Sequence, residues 1–161
     1  MNTMKRRLMT SVSVLALAVG IGGVEWRATS PAQAQACTAL AVVGGRGTQV
    51  RKTVSPAGTL VTGNNWNTDF AVPNGNRFRR YTVTILPEND GQYNIQMYLK
   101  YSNDTSDQFY NQNNVRLTRG RRFYVSGQPR DNSNQPYQVN VYVGGTVALG
   151  NTYTASVVGC R

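Results

Sequence analysis

The sequence predicts an all-β protein: a single antiparallel β-sandwich of about 7–9 strands, Ig-like or jelly-roll-like, with its N- and C-terminal strands joined by a disulfide. Three observations carry this. Past residue 36 no stretch keeps a 3.6-residue apolar period. Period-2 alternation recurs instead, punctuated by Gly, Asn, Asp and Pro. The only two cysteines, Cys37 and Cys160, stand at the two ends of the alternating region.

The first 36 residues read as a secretory signal peptide. Lys5, Arg6 and Arg7 precede an apolar run over 11–24, and the small-residue tail "PAQAQA" follows, with cleavage expected after Ala34 or Ala36. The run is shorter than the roughly 20 residues of a membrane-spanning helix. An exported destination follows as an expectation, whether periplasmic, cell-surface or secreted. In such an oxidising compartment two cysteines read first as a disulfide. The competing reading makes Cys37 a lipidated first residue, against which "AQA" lacks the large aliphatic residue such sites prefer.

The remaining region, residues 37–161, is one domain's worth of chain, enough to bury one core. Its elements follow in order. "TALAVVGG" (38–45) is a short apolar run suited to a strand buried on both sides, and "TQVRKTV" (48–54) alternates without a clean apolar face. "WNTDFAV" (66–72) is a short candidate, with Trp66 expected as a core anchor. "FRRYTVTIL" (78–86) sets Tyr81, Val83 and Ile85 on one face. In "GQYNIQMYLKY" (91–101), Tyr93, Ile95, Met97, Leu99 and Tyr101 share a face, and "PENDG" between this strand and the last predicts a hairpin over 78–101. "SNDTSDQFYNQNN" (102–114) and "GQPRDNSNQP" (127–136) read as polar loops. "RRFYVSG" (121–127), "PYQVNVYVGG" (136–145, with Tyr137, Val139, Val141 and Val143 inward) and "NTYTASVVGC" (151–160) complete the strands.

Composition removes whole chemistries. The chain has no histidine, which excludes Ser-His-Asp and Cys-His nucleophiles and histidine-ligated metals. Six carboxylates follow residue 36, and no two are placed by pattern on rigid neighbouring strands as glycoside hydrolysis requires. The expectation is a protein that is not an enzyme and has no cofactor. Calcium is the one metal the residues leave open, at "PEND" (87–90) or "NDTSD" (103–107).

The expectation for function rests on charge and on outward parity. Once Lys5, Arg6, Arg7, Arg27 and Glu25 are set aside, 13 basic residues face 6 acidic ones. Such an excess attracts anionic surfaces. Alternation turns Arg80 and Arg122 outward from two strands whose starts, "RFRRYTVTI" and "RGRRFYV", echo one another. It also turns out Asn94, Gln96, Tyr98, Tyr124, Asn140 and Tyr142. Amides bond sugar hydroxyls, rings stack on apolar sugar faces, and arginine pairs with uronate or sulfate. These eight residues form the expected ligand face of an exported binding module for anionic cell-surface or matrix polysaccharide. The alternative is a structural protein of the envelope that engages another protein or itself. The absence of a recognition helix and the scarcity of lysine count against nucleic acid as partner.

Overall fold

The inward residues of the two longest alternating runs cannot bury one another within a single sheet, so the chain folds them into two. A computed structural model describes residues 36–56 and 66–161. The leader expected over 1–36 lies outside the described residues, apart from Ala36. Ten strands are present among the described residues: β1 (Cys37–Ala39), β2 (Ala41–Val42), β3 (Gln49–Thr53), β4 (Asn67–Ala71), β5 (Arg80–Pro87), β6 (Gly91–Lys100), β7 (Ser106–Leu117), β8 (Phe123–Gly127), β9 (Gln138–Gly144) and β10 (Thr152–Cys160). The one helical element among the described residues is a 3-10 turn, Thr146–Ala148. The first sheet runs β1-β10-β5-β8, with β3 also on β10, and the second runs β2-β4-β9-β6-β7. All pairings are antiparallel. The architecture is the all-β sandwich that alternation predicts.

Consecutive strands alternate between the sheets at every connection except β6–β7. This overturns the hairpin expected over 78–101. β5 pairs with β10 and β8, whereas β6 pairs with β7 and β9. "PENDG" reverses the chain but arches it across the core, because turn composition marks a reversal and not the pairing of its flanks. Tyr81, Val83 and Ile85 thereby join a common core with Tyr93, Ile95, Met97 and Leu99, all fully buried. The run 38–45 is also corrected. It is two short strands in different sheets, exposed along β1, that switch at the buried Leu40.

The segment 102–114, expected as a loop, is mostly strand: β7 begins at Ser106 and makes the true hairpin with β6. Two register shifts interrupt that pairing, and Asn114 has φ 57°. The shifts break the period-2 pattern, so the neighbours Phe109 and Tyr110 are both half-buried. Tyr137, expected inward, is 47 % exposed because β9 begins only at Gln138.

The segment before β5 shows how a phase error is absorbed. Phe78 and Tyr81 are three residues apart yet both fully buried and edge-on to one another at 5.7 Å. Gln135 makes this possible. Its Oε1 accepts from the Phe78 N–H (3.1 Å) and the Tyr81 hydroxyl (2.8 Å), and its Nε2 donates to the Phe78 carbonyl (3.1 Å). The Phe78 ring fills the space beside Gly159, where a Cβ would lie 2.6 Å from it. Arg77 and Arg79 are thus left exposed ahead of the strand, and Arg80 opens it. A second brace ties the 128–137 loop to the β6–β7 hairpin. Arg130 forks onto Asp107 (2.8 and 2.6 Å), donates to Thr105 Oγ1 (2.8 Å) and lies 4.3 Å over the Tyr101 ring.

Residues 34–161 form one compact unit, which holds every residue of the core cluster. Cys37 and Cys160 are direct partners in the β1–β10 register and are disulfide-bonded, 123 residues apart in sequence. A bond closing so long a loop chiefly restricts the unfolded chain. The Cys37→Ser, Cys160→Ser double variant is expected to lose about 2–5 kcal/mol in denaturant unfolding. Gln135→Ala strands the buried Tyr81 hydroxyl and two backbone groups, and is expected to cost about 2–4 kcal/mol in the same measurement.

Candidate functional site

The two echoing arginine segments belong to antiparallel neighbours, β5 and β8, with Tyr81 opposite Gly127 and Ile85 opposite Phe123. Their arginines are therefore carried to opposite ends of the sandwich. Arg80 faces Cys160 at one end, and Arg122 precedes β8 at the other. Six residues of strand separate their levels, roughly 20 Å. Arg80 and Tyr124 belong to the first sheet, with Arg122 just ahead of its β8, while Asn94, Gln96, Tyr98, Asn140 and Tyr142 belong to the second. The eight expected ligand residues do not form one face.

The five in the second sheet do come together. On the outer face, one cross-strand row reads Asn67–Tyr142–Gln96–Asn111, and the next reads Asp69–Asn140–Tyr98–Gln108. Side-chain bonds run along the second row and tie it to the first. Gln108 Nε2 donates to the Tyr98 hydroxyl, which donates to Gln96 Oε1 at 2.8 Å. Asp69 Oδ1 accepts from Asn140 Nδ2 (2.8 Å) and pairs with Lys100 Nζ (2.9 Å). Asn140 is 5 % exposed, so this amide braces the face more than it offers itself. Asn94 Oδ1 accepts the Asn114 N–H at 3.1 Å and holds the β7 edge. Asn67, Asp69, Tyr98, Lys100, Ser106 and Asn140 line an open depression of about 360 Å³.

Trp66 packs against the core, as expected of an anchor, and also extends this face. It is half-buried and touches the core, but its ring covers Gly144, where a Cβ would lie 2.3 Å away, and meets Tyr142 edge-on at 5.6 Å. Gly144 and Tyr142 share the outward parity of β9, so the indole sits at the outer surface. Its Nε1–H is anchored on the Ser55 carbonyl at 2.7 Å. Nearby, Lys52 Nζ donates to the Asn67 carbonyl at 2.8 Å, and burial pushes its ammonium below the usual lysine range.

Asn67, Asp69, Gln108 and Asn111 are site residues that the sequence reading missed. The last two fell in the segment read as a loop. The alternation of Asn67, Asp69 and Ala71 against Thr68 and Phe70 was the available signal for β4.

Four other carboxylates are engaged away from these rows. Arg51 binds both oxygens of Glu88 (2.7 and 2.6 Å) and holds its carboxyl below the usual range. Arg130 does the same to Asp107, and the Ser133 hydroxyl with two backbone N–H groups does so to Asp131. Asp90 accepts the Arg119 N–H at 2.7 Å. Among the described residues no three His, Cys, Asp or Glu side chains converge as metal ligands. No protein-family model matches the chain, and a search of curated proteins found no match. Gly144→Ala is expected to displace Trp66, shift its fluorescence and cost about 1–3 kcal/mol in thermal unfolding, because the close-packed ring must move.

Proposed function

We propose that this is an exported, non-catalytic module that binds an anionic polysaccharide of the cell surface or matrix along the outer face of the second sheet. The observation that carries the reading is the pair of wired rows, Asn67–Tyr142–Gln96–Asn111 and Asp69–Asn140–Tyr98–Gln108. Planar amides and tyrosines held in fixed orientation bond sugar hydroxyls at low entropic cost. Trp66 and Tyr142 at one end supply rings for an apolar sugar face. Lys100 is neutralised by Asp69, so contacts along the two rows are hydrogen bonds, and the excess of arginine acts at longer range to draw in an acidic polymer. Glu88, Asp107 and Asp131 are all held ionised, which leaves none of these three poised as a general acid and supports binding over catalysis.

A second reading, assembly with another envelope protein or with a further copy, draws on β7. Among the described residues this 12-residue strand pairs along one edge only, with β6, and five of its residues are amides. An open edge of that length is a template for a further strand.

Retention of residues 34–161 on polygalacturonate and on neutral amylose, at low and high salt, tests the proposal. Salt-sensitive retention on the acidic polymer is expected. Tyr98→Ala with Tyr142→Ala should lower it at least about tenfold, while Arg80→Ala with Arg122→Ala changes mainly the salt dependence. Absence of retention on either polymer overturns the polysaccharide reading. If that unit also sediments as salt-insensitive oligomers, the strand-edge reading takes its place.

A further inference from the structure

The end of the sandwich opposite the disulfide joins three loops into one platform. The Gly120 N–H donates to the Pro87 carbonyl (2.9 Å), and the Arg119 N–H donates to Asp90 Oδ1 (2.7 Å). The Glu88 N–H donates to the Thr152 carbonyl, and the Thr152 N–H to Asn89 Oδ1, each at 2.8 Å. The Gly150 N–H donates to the Val54 carbonyl at 2.7 Å. These bonds connect the β5–β6, β7–β8 and β9–β10 loops.

Two kinds of side chain project from this platform. The 3-10 turn presents Val147 and Leu149, 63 % and 43 % exposed, on either side of a fully buried Ala148 that fixes their orientation. Exposed aliphatic residues are ordinary when scattered singly, but these two share one turn. Arg116, Arg119, Arg121 and Arg122 lie on the neighbouring loop and strand end, and all four are exposed. The local carboxylates are Glu88 and Asp90, and Glu88 is already held by Arg51. Arg116, Arg121 and Arg122 make no ion pair among the described residues. Tyr124, 59 % exposed, follows Arg122 with the same outward parity.

We infer that this end of the domain docks onto an anionic phospholipid bilayer. Val147 and Leu149 enter the headgroup boundary, and the arginines fork onto lipid phosphates with their apolar stems lying along the surface. The aliphatic pair is what favours a bilayer over a polysaccharide here, since a hydrated acidic polymer offers it nothing to enter. The surface is separate from the sugar-binding rows proposed above, and the inference does not rest on them.

The test is co-sedimentation of residues 34–161, whose core and disulfide are their own, with vesicles of pure phosphatidylcholine and of phosphatidylcholine mixed with phosphatidylglycerol. Binding is expected on the mixed vesicles and not on the neutral ones. Each arginine near an anionic leaflet strengthens partitioning about fivefold, so Arg119→Gln with Arg121→Gln and Arg122→Gln should weaken binding by about a hundredfold. Arg77→Gln with Arg79→Gln and Arg80→Gln removes as much charge from the other end and should leave binding within a fewfold. Val147→Ser with Leu149→Ser should also weaken it, and Val147→Trp should show a blue-shifted emission on mixed vesicles. Equal binding to both vesicle types, equal losses from the two arginine triples, or full binding by the serine variant overturns the inference. So does retention on polygalacturonate through Arg119, Arg121 and Arg122 without vesicle binding.

Discussion

Two apolar faces that must meet across one core govern this molecule. β5 and β6 follow one another in the chain, and each carries large, fully buried side chains on one parity: Tyr81, Val83 and Ile85 on the first, and Tyr93, Ile95, Met97 and Leu99 on the second. Only a connection that crosses from sheet to sheet can set these residues face to face, and the same solution recurs at all but one connection. The crossings are not passive. Leu40, Val54, Val72 and Phe78 lie in or beside them and are buried, so the connectors close the sides of the core. Because every crossing lies at an end of the sandwich, the loops collect there, and the charged residues they carry collect with them.

That arrangement separates two kinds of surface chemistry. The two rows on the outer face of the second sheet are built largely from neutral amides and tyrosines, and Lys100 beside them is matched by Asp69. The arginines stand mainly at the ends. A hydrogen-bonding face and a charged platform on one small domain need not serve one ligand, and a polymer and a surface can be engaged together.

Strand identity was legible wherever the apolar period stayed in phase. β5, β6 and β10 show it plainly, since the buried residues recur at every second position, and β9 keeps the apolar alternation of Val139, Val141 and Val143 although Asn140 between them is buried too. β7 was not legible, because it is an edge strand with wet amides on both parities and two shifts in its pairing. The sheet to which each strand belongs leaves no local trace at all. Parity turned Tyr98 and Tyr124 outward, but nothing in the residues says that outward means opposite sides of the molecule for these two. The candidate face was therefore half legible: Asn94, Gln96, Tyr98, Asn140 and Tyr142 were found, while Asp69, Gln108 and the surface role of Trp66 needed the fold.

The disulfide has a mechanical meaning beyond its thermodynamic one. Cys37 and Cys160 pair directly, and the Arg161 N–H reaches the Ala36 carbonyl at 3.1 Å, so the two ends of the domain lie side by side. Tension applied between those ends passes through the sulfur–sulfur bond and loads none of the strand ladders behind it. In its oxidised form the sandwich is inextensible as a link between whatever is attached on either side. On reduction the same pull would peel β1 and β10 apart one hydrogen bond at a time, beginning at the edge of the first sheet.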